Sequence, residues 1–222
     1  MYQCDYTGTS PSPSLKPQIS KMEFLTLVTC VAIVVYILKL SEERRRIALL
    51  GSHLGQYQIE KLMETLTDGY LRALGEKEPE RREQVWNQLA GSELKLCEQF
   101  TLFAAGFSKV DEVEARTSKL PITFPFATKL LPGLSFDMRK MLAVHAQGIL
   151  RAAENSAQRT PKDKAFTMSA ELFLMQHSCH WFCKSKTVAS ARMMVRHKTS
   201  HEQLVASVSP ETRGAYLAMV ER

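Results

Sequence analysis

The side chains best equipped for chemistry are His177, Cys179, His180 and Cys183, gathered in the run HSCHWFC. Imidazole nitrogens and thiolates are the ligands of a tetrahedral zinc site. A cysteine here could also serve as a nucleophile if Lys184 and Lys186 depressed its pKa. Helical spacing argues against one ion holding all four. Cys179 and Cys183 are four apart and share a face, whereas His177 and His180 are three apart on another. A zinc site would need ligands from elsewhere, such as His145, His197 or His201. His177 also falls on the face of Phe166, Phe173, Leu174 and Trp181, where a histidine more often completes a core. The expectation is therefore core packing, with no metal, no cofactor and no catalytic residue assigned. A metal- or thiol-dependent enzyme is the alternative.

No other pattern carries chemistry. GxSxG, HExxH, GxxxxGK[ST] and GxGxxG are all missing, and no acid pairs recognisably with a histidine. The acids between Glu76 and Glu114 alternate in sign with bases, as on a solvated helix face. No small-molecule substrate is implied.

Charge is the more usable signal. The formal net charge is +6, but residues 41–150 carry fifteen bases and fifteen acids, whereas 156–198 carry eight bases and two acids. Lys184, Lys186, Arg192, Arg196 and Lys198 supply most of that excess, within KSKTVASARMMVRHK. Such a stretch reads first as a solvated face, and next as a surface for an acidic partner or anionic lipid, where each base near the surface contributes about 1 kcal/mol. Nucleic acid is the weaker candidate, since no aromatic residues interleave with the charges.

These side chains must be positioned by something, and the N-terminal third says where. After a polar Ser/Pro-rich leader (1–21), the chain reads FLTLVTCVAIVVYIL, fifteen residues without a charge. Extended over 22–40, the run is slightly short against the roughly 20 residues that span a hydrocarbon core, so it would cross with little tilt. A cleaved signal peptide would want a small-x-small site that SEERRR does not supply. A lipoprotein signal at Cys30 and a buried core helix are the other competitors. Lys39, Arg44, Arg45 and Arg46 follow the run against Lys16 and Lys21 before it, which places the N-terminus outside and the domain in the cytoplasm of an inner or plasma membrane. Five cysteines without framework spacing fit the same reducing side. Arg44, Arg45 and Arg46 join the 184–198 bases as expected membrane-surface or partner-binding residues.

Residues 41–222 read as one helical domain, a bundle of about five to six helices. Apolar residues at three- and four-residue intervals mark helices over 59–74 and 79–107, the latter with a candidate break at Gly91-Ser92. Another runs from Asp137 to Asn155. Thr160-Pro161-Lys162-Asp163 is a strong start signal for a helix through 183 that is apolar on nearly every face, hence central. Ser209-Pro210-Glu211 opens a last helix. Three prolines between Leu120 and Phe136 forbid a regular helix there; the segment reads as an apolar loop, packed on the domain or inserted into something else. No strand shows convincing alternation.

In length, anchor position and charge bias the chain is similar to the small inner-membrane entry-exclusion proteins of conjugative plasmids. That resemblance covers layout over the whole chain and no diagnostic motif, so no residue is carried over. It implies a non-enzymatic protein that recognises a protein partner, the donor's transfer apparatus, and so blocks redundant plasmid transfer.

Overall fold

The computed structural model describes residues 21–221, so the leader, with Cys4 and Lys16, lies outside the described residues. It is about four-fifths helical with almost no strand. The chain divides into two compact units between Ile37 and Leu38.

The first unit is the apolar half of helix α1 (Lys21–Leu54). Thr26 and Thr29 donate their hydroxyls to the carbonyls of Met22 and Leu25, both at 2.9 Å, so both threonine hydroxyls are satisfied within the helix. Its best window has a mean hydropathy of 2.3 and is 0% buried, which is unlike a core helix. It is the one helix among the described residues long and apolar enough to cross a membrane.

The second unit, from Leu38 onward, is the helical domain. The latter half of α1 runs through Gly51 to Leu54 before the chain turns, carrying Leu50 into the core. Helix α2 (Ile59–Gly75) buries Ile59, Leu62, Met63, Leu66, Tyr70 and Ala73 against α3 (Pro79–Phe107). The break considered at Gly91-Ser92 does not occur. The inward positions Val85, Leu89, Glu93, Leu96, Phe100, Phe103 and Phe107 keep one helical phase through it, and packing outweighs the roughly 1 kcal/mol that glycine costs.

Between α3 and the next long helix lies a small motif invisible to alternation. A one-turn helix, α4 (Glu112–Ala115), leads into β1 (Arg116–Ser118), which pairs antiparallel with β2 (Ser135–Asp137). Three residues per strand are too few for alternation to register. The Pro-rich segment bridges them through α5 (Ala127–Leu130) and a 3-10 turn (Pro132–Leu134).

Helix α6 (Met138–Glu154) follows, then α7 (Pro161–Cys183), whose Thr160 cap accepts from Asp163 N at 3.2 Å. As expected, α7 is central: it packs against α2, α6, α8 (Lys186–His197) and α9 (His201–Ser207). Helix α9 was not expected, although Ser200 and Gln203 form a capping box at its start. Helix α10 (Pro210–Val220) closes the domain on α6.

Candidate functional site

Two of the residues singled out by charge, Arg46 and Lys184, meet two acids to which topology counting assigns little weight. Glu42 accepts from Arg46 Nη2 at 2.9 Å and from the backbone N of Phe126 at 3.2 Å. Glu43 accepts from Lys184 Nζ at 2.5 Å, joining positions 141 residues apart, while Lys39 lies 4.0 Å from the same carboxylate. Thr187 donates its backbone N at 3.2 Å and its hydroxyl at 2.8 Å to the Pro121 carbonyl. Thus residues 38–46, 121–129 and 182–187 form one cluster at the point where the apolar run ends.

Within that cluster the expected surface bases separate. Arg44 is exposed. Arg45 is exposed and pairs with Glu114. Arg46 is not a surface group: it is buried, donates to the Phe182 carbonyl at 3.2 Å, and lies 5.5 Å over the Phe182 ring. A planar guanidinium can stack and bond at once, so it seals the joint between α1 and α7 rather than facing lipid.

The 184–198 bases do not make one patch. Arg192 meets His180 Nδ1 at 3.1 Å and His197 meets Gln176 Oε1 at 3.0 Å, so α8 runs back along α7. At about 1.5 Å per residue, Lys198 stands roughly 15–20 Å along the helix from Lys184. Lys184 stays beside α1, whereas Lys186 lies 5.3 Å over the Trp181 ring. Arg196 and Lys198 belong to the far end and are exposed there.

The histidines and cysteines go elsewhere. His177 Nε2 meets Ser190 Oγ at 3.1 Å, and its ring stacks on His201 at 4.5 Å between centroids. His201 meets the Tyr216 hydroxyl at 2.9 Å, and His145 meets Ser178 Oγ at 2.9 Å. These are buried polar pairs linking α6, α7, α8, α9 and α10. Cys179 faces Met175 Sδ at 3.8 Å and Cys183 is buried. No group of three metal-capable side chains assembles among the described residues, so the HSCHWFC set has no common focus.

Burial also sets the titration of this region. It drives His145 down to about 3 and His177 to about 2, and His180 to about 4, so all three are neutral imidazoles. Burial pushes the Cys183 thiol up to about 11 and Cys179 higher still. The activation that Lys184 might have given a thiolate is outweighed; a protonated buried thiol is a poor nucleophile.

Two carboxylates missed in the sequence are the most specifically held. Glu93 accepts from the Tyr70 hydroxyl and from Lys164 Nζ, each at 2.5 Å. Glu171, fully buried, accepts from Ser209 N at 3.0 Å and Ser209 Oγ at 2.7 Å at the start of α10, and desolvation raises its pKa. A lone acid inside AFTMSAELFLM was the available signal. Both are structural.

One concavity stands apart from all of these. A groove of about 1020 Å3 runs between α2, α7 and the end of α8, with Leu71, Leu74, Phe166 and Phe173 on its walls and Arg159 and Arg196 at its edge. Leu71 and Phe166 are 70% and 57% exposed, more than a monomer normally leaves on neighbouring apolar residues.

No protein-family model matches the chain, and no curated protein or solved structure is significantly similar to it.

Proposed function

We propose that this chain is a single-pass membrane protein whose residues 22–40 cross the bilayer. Its helical domain, on the cytoplasmic side, works by docking another protein rather than by catalysis. The observation that carries the reading is the first half of α1: apolar on every face, fifteen residues without charge, and 0% buried. A helix apolar all round and covered by no protein is matched to lipid.

The orientation rests on the four bases that follow the run against two before it. A C-terminal tag resistant to protease in intact cells and digested after the membrane is opened supports it; digestion in intact cells reverses the topology.

The docking face we infer is the α2–α7 groove, whose apolar walls, with Arg159 and Arg196 against the single acid Asp163 in its lining, suit an amphipathic segment carrying acids. A photocrosslinking side chain at Leu71 should give one discrete adduct in cells, whereas the same group at exposed Lys77 should not. Equal yields from both positions would remove the groove from consideration. Within this class, entry exclusion is the particular role that the layout suggests, with the partner part of a donor's transfer apparatus. If so, deleting the gene from a plasmid-bearing recipient raises plasmid acquisition; unchanged acquisition rejects that role while leaving the anchored docking protein standing.

A further inference from the structure

The segment from Ile122 to Leu134 is held by its backbone and by buried Ala127 and Thr128, and shows its large apolar side chains to solvent. Phe126 N donates to Glu42, Pro121 O accepts from Thr187, and Lys119 N donates to Leu134 O, so both ends and the middle are tied down. Yet Ile122 is 69% exposed, Leu130 67% and Phe126 48%, with Phe124, Leu131 and Leu134 also exposed. A loop packed on its domain would have buried these rings. Phe126 is moreover held at φ 61°, a left-handed conformation that a bulky residue adopts only where its surroundings impose it.

Position along α1 indicates what covers them. Phe124 lies beside Lys39 and Glu43 on one side of the helix, and Phe126 and Lys129 beside Leu38 and Ser41 on the other. The segment therefore straddles α1 at residues 38–43, where the apolar run gives way to charge. Residues 115–136 carry three bases, Arg116, Lys119 and Lys129, and no acid. The acids nearest the segment, Glu42, Glu43 and Glu114, are paired with Arg46, Lys184 and Arg45, so exposed aromatic and aliphatic side chains beside Lys119 and Lys129 match the boundary between anionic headgroups and acyl chains.

We propose that residues 122–134 form an apolar collar on α1 that inserts into the lipid interface and seats the domain against the bilayer. This rests on residues 22–40 being the span. The collar also compensates a run slightly shorter than a hydrocarbon core, because it supplies apolar surface where the helix becomes polar.

The experiment uses the full chain in phosphatidylglycerol-containing nanodiscs, with a nitroxide at one accessible cysteine at a time, since Cys97 and Cys183 are buried and burial keeps the Cys179 thiol protonated. Ile122→Cys, Leu130→Cys and Leu71→Cys are made with Cys4→Ser and Cys30→Ser, and Cys30 itself is labelled in Cys4→Ser. Accessibility to oxygen is compared with accessibility to a water-soluble nickel chelate. The collar predicts that labels at 122 and 130 favour oxygen over nickel at least several-fold more than the label at 71, approaching the value at Cys30. Labels at 122 and 130 as open to nickel as 71, with Cys30 protected, overturn the collar and leave the span. Nickel access at Cys30 overturns the span and the collar with it. Protection at 122 and 130 only when cell extract is added assigns the surface to a protein instead and also rejects the collar.

Discussion

At Gly148 the reason for the residue type can be read from its neighbours. A Cβ there would press into the Glu171 carboxyl and stand 2.5 Å from Thr212 Oγ1, so only glycine lets α6 approach the buried acid that caps α10. Gly148→Ala is expected to lower the unfolding free energy by about 1–3 kcal/mol despite alanine's better helix propensity, measured by denaturant unfolding. The buried imidazoles give a second expectation. Their folded pKa values, about 3 for His145 and about 2 for His177, lie below the unfolded 6.5, so the unfolded chain binds more protons as acid is added. Their contribution is complete above about pH 6.5 and declines below it, by up to about 1.4 kcal/mol per pH unit for each histidine. Glu171, with its raised pKa, acts in the opposite sense just above pH 4.5, where the unfolded carboxyl ionises first. His145→Gln should therefore flatten the slope of stability against pH between about 5 and 6.5; an unchanged slope would mean that His145 is not neutral in the folded state.

Elements were legible where they are long and periodic, and obscure where geometry is set by something distant. Helices α2, α6 and α7 follow directly from apolar spacing and from the Thr160 cap, as does the central place of α7. The glycine at 91 suggested a break only because propensity is local, whereas the phase of Val85 to Phe107 is held by tertiary packing. Gly91 is exposed and a Cβ there meets nothing within 4 Å. Gly91→Ala should accordingly raise stability by about 0.5–1 kcal/mol; a loss would show that the helix needs glycine there. The β1–β2 pair escaped notice because three-residue strands have no pattern to show. The basic stretch misled in another way: Lys184 through Lys198 are contiguous in sequence, but α8 carries them along α7 and away from α1. Only the pairing of Glu43 with Lys184 across 141 residues, beside the pairing of Glu42 with Arg46, reveals which bases belong together.

Joint contacts at Arg46 connect the element scale to the molecule. Its guanidinium ties α1 to the last turn of α7 through the Phe182 carbonyl and ring. Arg46→Ala removes that tie and leaves the carbonyl without this donor, at a cost of about 2 kcal/mol in domain stability by thermal unfolding. Arg46→Lys should recover only part, having no planar fork. No loss in Arg46→Ala would detach the helix from the account of the fold. Over the whole chain, what the sequence shows most openly is a helix long and apolar enough to cross a membrane, and what it hides is which surfaces meet beside it. Of the HSCHWFC residues, chemically the most suggestive, His177 and Cys183 are buried and His180 turns to Arg192, while the acids beside the apolar run organise the junction.

Whether residues 22–40 anchor the chain uncleaved in a bilayer is tested by alkaline carbonate extraction of membranes from cells expressing the full chain, followed by intact mass. An anchored chain remains in the membrane pellet with residues 22–40 still attached. Release into the supernatant, or a mass showing that the chain begins after Leu40, would contradict the anchor.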